Sequence, residues 1–145
     1  MADNISMVAR IARVYIGLGF IYFLIGTVLL ALSLANYVNI NRDMIFILDL
    51  YGFVTMLIFG LSYVFAPGLS HSTYANYRVV EVEIVAMNIA IILIFLSGSG
   101  LLGNISVVAL PIGLVLLVIA VVVHAINIFR TVTGGKSPIV APTKK

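Results

Sequence analysis

The stretch DLYGFVTMLIFGLSYVFAP (Asp49–Pro67) is apolar over most of its length, yet it begins with a carboxylate and ends on a proline. The rest of the chain has the same character, since 63% of its 145 residues are hydrophobic and 9% are charged. An ordinary soluble domain carries about 25% charged residues. The chain therefore lacks the charges that a water-facing surface needs, and we expect the stretch to lie in a lipid bilayer.

Four apolar stretches are long enough to cross a membrane: about 11–34, 44–66, 79–96 and 106–129. Roughly 20 helical residues suffice, because about 30 Å of hydrocarbon is crossed at 1.5 Å per residue. Backbone amides in lipid must be paired within the protein, which favours helices even in valine-rich spans. The sequence predicts an all-α, integral-membrane four-helix bundle with up-down-up-down topology. It would form one domain, residues 1–133, followed by a basic flexible tail, residues 134–145.

The basic residues predict the orientation of the bundle, because positively charged flanks are retained on the cytoplasmic side of a membrane. Arg42 falls on one side of the four-span arrangement. The other basic residues fall on the opposite side: Arg10, Arg13, Arg78, Arg130, Lys136, Lys144 and Lys145. We expect a multi-pass protein of the cell membrane with both termini in the cytoplasm. The connection from Pro67 to Arg78 would lie there too, beginning with a turn at Pro67-Gly68.

Ionisable residues within the spans are costly and therefore mark candidate functional sites. Glu81, Glu83 and His124 are expected at one depth near the cytoplasmic face, and Asp49 near the outer face. We therefore predict no catalytic Asp49–His124 couple. Two interpretations of the inner group stay open. The charges satisfy one another, Glu83 pairing with Arg13 or His124, or the group is a site for a quinone head group or for proton entry.

Other residues are predicted to hold the helices together or to contact further subunits. Small residues let helix backbones approach closely in membranes, which assigns this role to Gly52 and Gly60. Asn88 is expected to hydrogen-bond between helices, and Asp49 to bond a neighbouring helix or subunit. The deeper tyrosine hydroxyls are expected to bond inside the bundle or to a neighbour: Tyr15, Tyr22, Tyr51 and Tyr63.

Neither a metal site nor a heme site is predicted. The chain has no cysteine and two histidines, His71 and His124. A heme held between helices needs two axial ligands that face each other, and His71 is expected in a connection. We therefore predict no catalytic residue, no metal and no bound cofactor. In the alternative interpretation, His124 with Glu81 and Glu83 would bind a heme or a quinone.

The segment YGFVTMLIFGLSYVFAP (Tyr51–Pro67) resembles the second helix of small four-helix relatives of subunit I of heme-copper oxidases and nitric-oxide reductases. The matching residues are Gly52, Phe53, Val54, Thr55, Met56, Ile58, Phe59, Gly60, Tyr63 and Pro67. GFIYFLIGTVLLAL (Gly19–Leu32) and NIFRTV (Asn127–Val132) are similar to parts of that family's first and last helices. The family's ligand histidines would fall on Ile45, Ile47 and Val64, so the resemblance implies the scaffold without its heme or copper role.

These observations predict a non-catalytic accessory subunit of an integral-membrane respiratory or oxidase-type complex. Its partners would be other membrane subunits and lipids, and nothing indicates nucleic-acid binding. The alternative is a small electron-transfer subunit that binds quinone or heme. A small transporter with Asp49 and Glu83 along a polar path is less favoured, because no continuous polar stripe connects them.

Overall fold

The computed structural model describes residues 2–70 and 77–133 of the chain. The first helix is Ala2–Leu34, the third is Tyr77–Gly98, and the fourth is Ser106–Val132, preceded by a 3-10 turn at Gly103–Ile105. The second helix has three continuous parts: Arg42–Ile47, a π-helical segment at Leu48–Val54, and Thr55–Ser70. The tail predicted at 134–145 and the loop histidine His71 lie outside the described residues.

Each of the four helices contains a segment that is long and apolar enough to cross a membrane. These segments are Ala9–Leu34, Arg42–Pro67, Arg78–Gly98 and Gly103–Val132. Large apolar side chains remain exposed on all four helices, as expected for a protein whose outer surface contacts lipid. The predicted all-α four-helix membrane bundle is confirmed, with span boundaries within a few residues of those expected.

Successive helices run in opposite directions, which gives the bundle two distinct ends. Connections 35–41 and 99–105 lie at one end, which we call the loop end. The first helix begins and the fourth helix ends at the opposite end, which we call the terminal end. The described chain therefore has its two outermost segments on the same side of the bundle, in agreement with the predicted topology.

The first and second helices interlock through alternating large and small residues. A Cβ atom on Gly60 would press against Tyr15, and a Cβ atom on Gly52 would overlap the ring of Tyr22. Farther toward the loop end the pattern reverses, because a Cβ atom on Gly26 would overlap the carboxylate of Asp49. The glycines thus let the two backbones approach closely and leave room for a large side chain at each level.

The second helix does not end at its proline. It continues through Pro67 to Ser70, so the turn predicted at Pro67-Gly68 is wrong. Proline already has a helical φ angle, and in the last turn it removes a single backbone hydrogen bond, which leaves the following residues free to stay helical. The π-helical segment at Leu48–Val54 was not predicted either, and it contains both Asp49 and Gly52.

Candidate functional site

The most polar part of the interior is centred on Glu83 of the third helix, which is 1% exposed. An uncompensated carboxylate is very costly to bury, so its surroundings must supply hydrogen-bond donors or an opposite charge. Side chains from the three other helices do so. We call the six residues that form this group the Glu83 network: Tyr15, Ser62, Tyr63, Glu83, His124 and Asn127.

Two tyrosines donate to the two oxygens of the carboxylate. The hydroxyl of Tyr15, from the first helix, donates to Oε1 of Glu83 at 2.5 Å. The hydroxyl of Tyr63, from the second helix, donates to Oε2 at 2.7 Å. Tyr63 in turn accepts a hydrogen bond of 3.1 Å from Nδ2 of Asn127 on the fourth helix. The carboxylate is therefore held from two sides of the bundle at once.

His124 of the fourth helix completes the network. Its Nδ1 lies 2.9 Å from Oε1 of Glu83, and its Nε2 lies 2.9 Å from Oγ of Ser62 on the second helix. The imidazole stacks on the ring of Phe59 with 3.6 Å between ring centroids and 3° between the planes. Tyr63 meets it edge-on at 5.0 Å. Both ring nitrogens and the stacked face of His124 are thus occupied by protein groups.

The ionisable residues predicted near the cytoplasmic face separate into a buried group and an exposed group. His124 and Glu83 meet, as one of the two interpretations expected, whereas Arg13 is exposed and donates through Nε to the carbonyl of Ala9 at 3.1 Å. Glu81 is also exposed and lines a shallow apolar groove on the outside of the bundle with Val82 and other residues. The three-residue set of His124, Glu81 and Glu83 is therefore not assembled, because Glu81 points away from the other two.

The heme and quinone alternatives both depend on His124. An axial heme ligand offers a free nitrogen lone pair to the iron, and both nitrogens of His124 face protein partners at 2.9 Å. Within the described residues, no group of three or more His, Cys, Asp or Glu side chains could hold a metal ion. The Glu83 network is thus a self-contained polar cluster rather than an open set of ligands.

A second, smaller polar layer lies nearer the middle of the bundle. The hydroxyl of Tyr22 on the first helix donates to Oδ1 of Asn88 on the third helix at 2.7 Å. Nδ2 of Asn88 donates to the carbonyl of Ile84, one turn earlier, at 2.7 Å. Asn88 thus bonds between helices, and Tyr22 reaches it by crossing over Gly52.

Asp49 lies in the loop-end half of the bundle, away from the Glu83 network. Its neighbour Gly26 is eleven residues beyond Tyr15 on the first helix, or about 16 Å along the axis. The carboxylate is half-buried, and its Oδ1 has no hydrogen-bond partner among the described residues. Asp49 and His124 do not meet, and Oδ1 of Asp49 is a buried carboxylate oxygen that the described chain leaves unbonded.

Sequence reasoning placed Glu83 and His124 at one depth but missed the groups that bind them. Ser62 and Asn127 carried no signal of their own, because single polar residues in an apolar helix fit many roles. The tyrosines did carry a signal, since a hydroxyl deep in a membrane span needs a partner. Their spacing with glycine, Tyr15-Gly19-Tyr22-Gly26, could have shown that both project from one face of the first helix.

The comparisons with known proteins neither add to this geometry nor conflict with it. Protein-family descriptions, curated proteins and solved structures all yielded no match to this chain. The resemblance of Tyr51–Pro67 to oxidase-related helices therefore stays an expectation from sequence.

Proposed function

We propose that the protein is a non-catalytic accessory subunit of an integral-membrane complex, of respiratory or oxidase type. Asp49 is the observation that carries the proposal. A carboxylate within a membrane span is costly, and such residues normally face a partner. Oδ1 of Asp49 finds none within the described chain. Oδ1 itself is buried against Gly26, so a neighbouring subunit would meet the exposed part of this half-buried side chain and supply a hydrogen-bond donor there.

The surroundings of Asp49 have the composition of a protein interface. We call the patch formed by Phe20, Phe23, Phe46, Asp49 and Phe53 the Asp49 face. The ring of Phe53 contacts those of Phe20 and Phe23, with centroids 5.6 Å and 4.8 Å apart. Phe46, one turn before Asp49, is 67% exposed. Aromatic residues around a desolvated polar group are typical of the centre of an interface.

The Glu83 network supports a role in holding the helices together. Its polar atoms bond one another across four helices, so it joins the helices into one unit. The resemblance to the oxidase-related scaffold supports the class of complex. The distribution of basic residues supports placing the terminal end of the bundle in the cytoplasm, and therefore the loop end, with the Asp49 face, toward the opposite side.

Co-purification from native membranes tests the accessory role. The natural chain should purify in fixed stoichiometry with larger integral-membrane subunits, as measured by native gel electrophoresis and mass spectrometry. The Asp49→Leu variant should lose them, because leucine offers the partner no acceptor. The Glu81→Leu variant is the matched control, since it removes an exposed carboxylate at the other end of the bundle and should keep the partners.

Three outcomes would contradict the proposal. The first is a natural chain that purifies alone, and the second is an Asp49→Leu variant that keeps every partner. The third is a stoichiometric heme or quinone that is lost in His124→Ala, which would favour the electron-transfer alternative. Size-exclusion chromatography in detergent shows whether each variant is still folded.

A further inference from the structure

We propose that Glu83 and His124 form a buried ion pair in which the imidazole carries a proton on both nitrogens, so that the Glu83 network is a proton-binding site. The hydrogen-bond donors and acceptors of the network support this assignment. The ion pair does not depend on the accessory role, because it lies in the interior of the chain.

The hydroxyl of Ser62 carries a single hydrogen. Oγ of Ser62 lies 2.7 Å from the carbonyl oxygen of Phe59, which can only accept, so the hydrogen is donated there. Oγ is also 2.9 Å from Nε2 of His124. Ser62 has no second hydrogen, so with its hydrogen on the carbonyl, Nε2 is the donor in that contact. This orientation of the hydroxyl places a proton on Nε2 of His124.

The other nitrogen faces the carboxylate. Nδ1 of His124 and Oε1 of Glu83 are 2.9 Å apart, so one proton lies between them. Whether that proton resides on nitrogen or on oxygen depends on what else bonds the carboxylate. Tyr15 and Tyr63 each donate to one of its oxygens. Both oxygens thus act as acceptors, which is the bonding of an ionised carboxylate, and we assign the proton to Nδ1.

Within the described residues, the titratable groups that bond this pair are tyrosines. Tyr15 faces it from the first helix and Tyr63 from the second, while Glu83 belongs to the third helix and His124 to the fourth. Asn127 donates to Tyr63, so that the tyrosine hydrogen is directed at Glu83. The tyrosines are neutral donors, and the pair therefore carries one positive and one negative charge and is neutral as a whole.

The stacking of Phe59 on His124 fits a charged imidazole. The two rings are nearly parallel, with centroids 3.6 Å apart. A cation within about 6 Å of an aromatic face is attracted by the negative charge of that face. The neutral total charge of the pair, together with this contact, makes a protonated His124 compatible with an apolar surrounding.

Nitrogen-15 NMR of the full-length protein in lipid tests the assignment. The chain has two histidines, so labelling histidine in a His71→Gln background leaves His124 as the single source of ring signals. At neutral pH both ring nitrogens should show the chemical shift and the attached hydrogen of an imidazolium. A spectrum with one unprotonated ring nitrogen would overturn the proposal.

Two glutamate variants test whether the carboxylate of Glu83 keeps the second proton on His124. In Glu83→Gln the ring should lose one of its two N–H signals, because the partner charge is gone. In Glu81→Gln, two residues earlier and exposed, both N–H signals should remain. An infrared difference spectrum between the natural chain and Glu83→Gln should show the loss of an ionised carboxylate. The loss of a protonated carboxylic acid, or an unchanged ring in Glu83→Gln, would contradict the ion pair.

Discussion

The direction in which Glu83 points determines the polar contacts in the interior of the bundle. Glu83 points inward and accepts from two tyrosines, while Glu81 on the same helix is exposed. Residues two apart on an α-helix point about 200° away from each other, because each residue turns the helix by about 100°. One of the two glutamates must therefore face outward when the other faces inward.

Substituting a glycine that faces a tyrosine tests the close packing of the first two helices. Gly52→Ala should destabilise the bundle by about 1–3 kcal/mol, the usual cost of overpacking, because the new methyl group would overlap Tyr22. Gly17→Ala is the matched control, since nothing lies within 4 Å of a Cβ atom at that position. It should stabilise the first helix by about 0.5–1 kcal/mol.

Thermal unfolding in detergent, followed by circular dichroism, measures both changes. A Gly52→Ala variant that is as stable as the natural chain would contradict the close packing of the first two helices. A destabilised Gly17→Ala variant would show that the exposed face of the first helix is packed against something else.

Part of this residue-level structure could be predicted from the sequence. Counting residues along the spans was enough to place Glu83 with His124 and to separate both from Asp49. The count could not decide which of Glu81 and Glu83 faces inward, because that depends on the rotation of the third helix. The rotation follows from contacts with three other helices, and those contacts are not encoded in the third helix alone.

At the scale of the helices, the register of the first two is set by interlocking residues. A Cβ atom on Gly19 would lie 3.4 Å from that of Met56, and the two helices run antiparallel. The second helix includes a π-helical segment at Leu48–Val54, which places one extra residue in the turn beside the first helix. Oγ1 of Thr55 donates to the carbonyl of Leu50, five residues earlier, at 3.1 Å.

Engineered cysteines test this register cleanly, because the natural chain has none. The pair Gly19→Cys and Met56→Cys should form a disulfide on mild oxidation, since disulfides join Cβ atoms about 3.5–4.5 Å apart. The pair Gly17→Cys and Met56→Cys should not, because position 17 has no neighbour within 4 Å. Mass spectrometry of the oxidised protein identifies the bond. Equal yields from the two pairs would contradict the register.

The existence of the four helices could be predicted because long apolar spans have few alternatives in lipid. Their irregular parts could not. Proline usually marks the end of a helix, yet the second helix passes through Pro67 to Ser70. The π-helical segment leaves the apolar composition of the span unchanged, so hydropathy gives no sign of it.

At the scale of the whole molecule, the two halves of the bundle differ. The Glu83 network in the terminal half has donors and acceptors matched across four helices. The buried side-chain atoms that lack a partner within the described chain are toward the loop end: Asp49 Oδ1, Ser97 Oγ and Ser106 Oγ. These atoms are buried within the chain and do not themselves meet a partner. The proposed accessory role instead predicts a partner at the exposed aromatic residues of the Asp49 face, in the same loop-end half.

Photo-crosslinking in native membranes tests that placement most directly. A photoreactive phenylalanine analogue at position 46 on the Asp49 face should form an adduct with a larger membrane protein. The same analogue at Ile112, an exposed position in the loop-end half of the fourth helix, should label lipid. Lipid adducts alone from position 46, or the same protein adduct from both positions, would contradict the account.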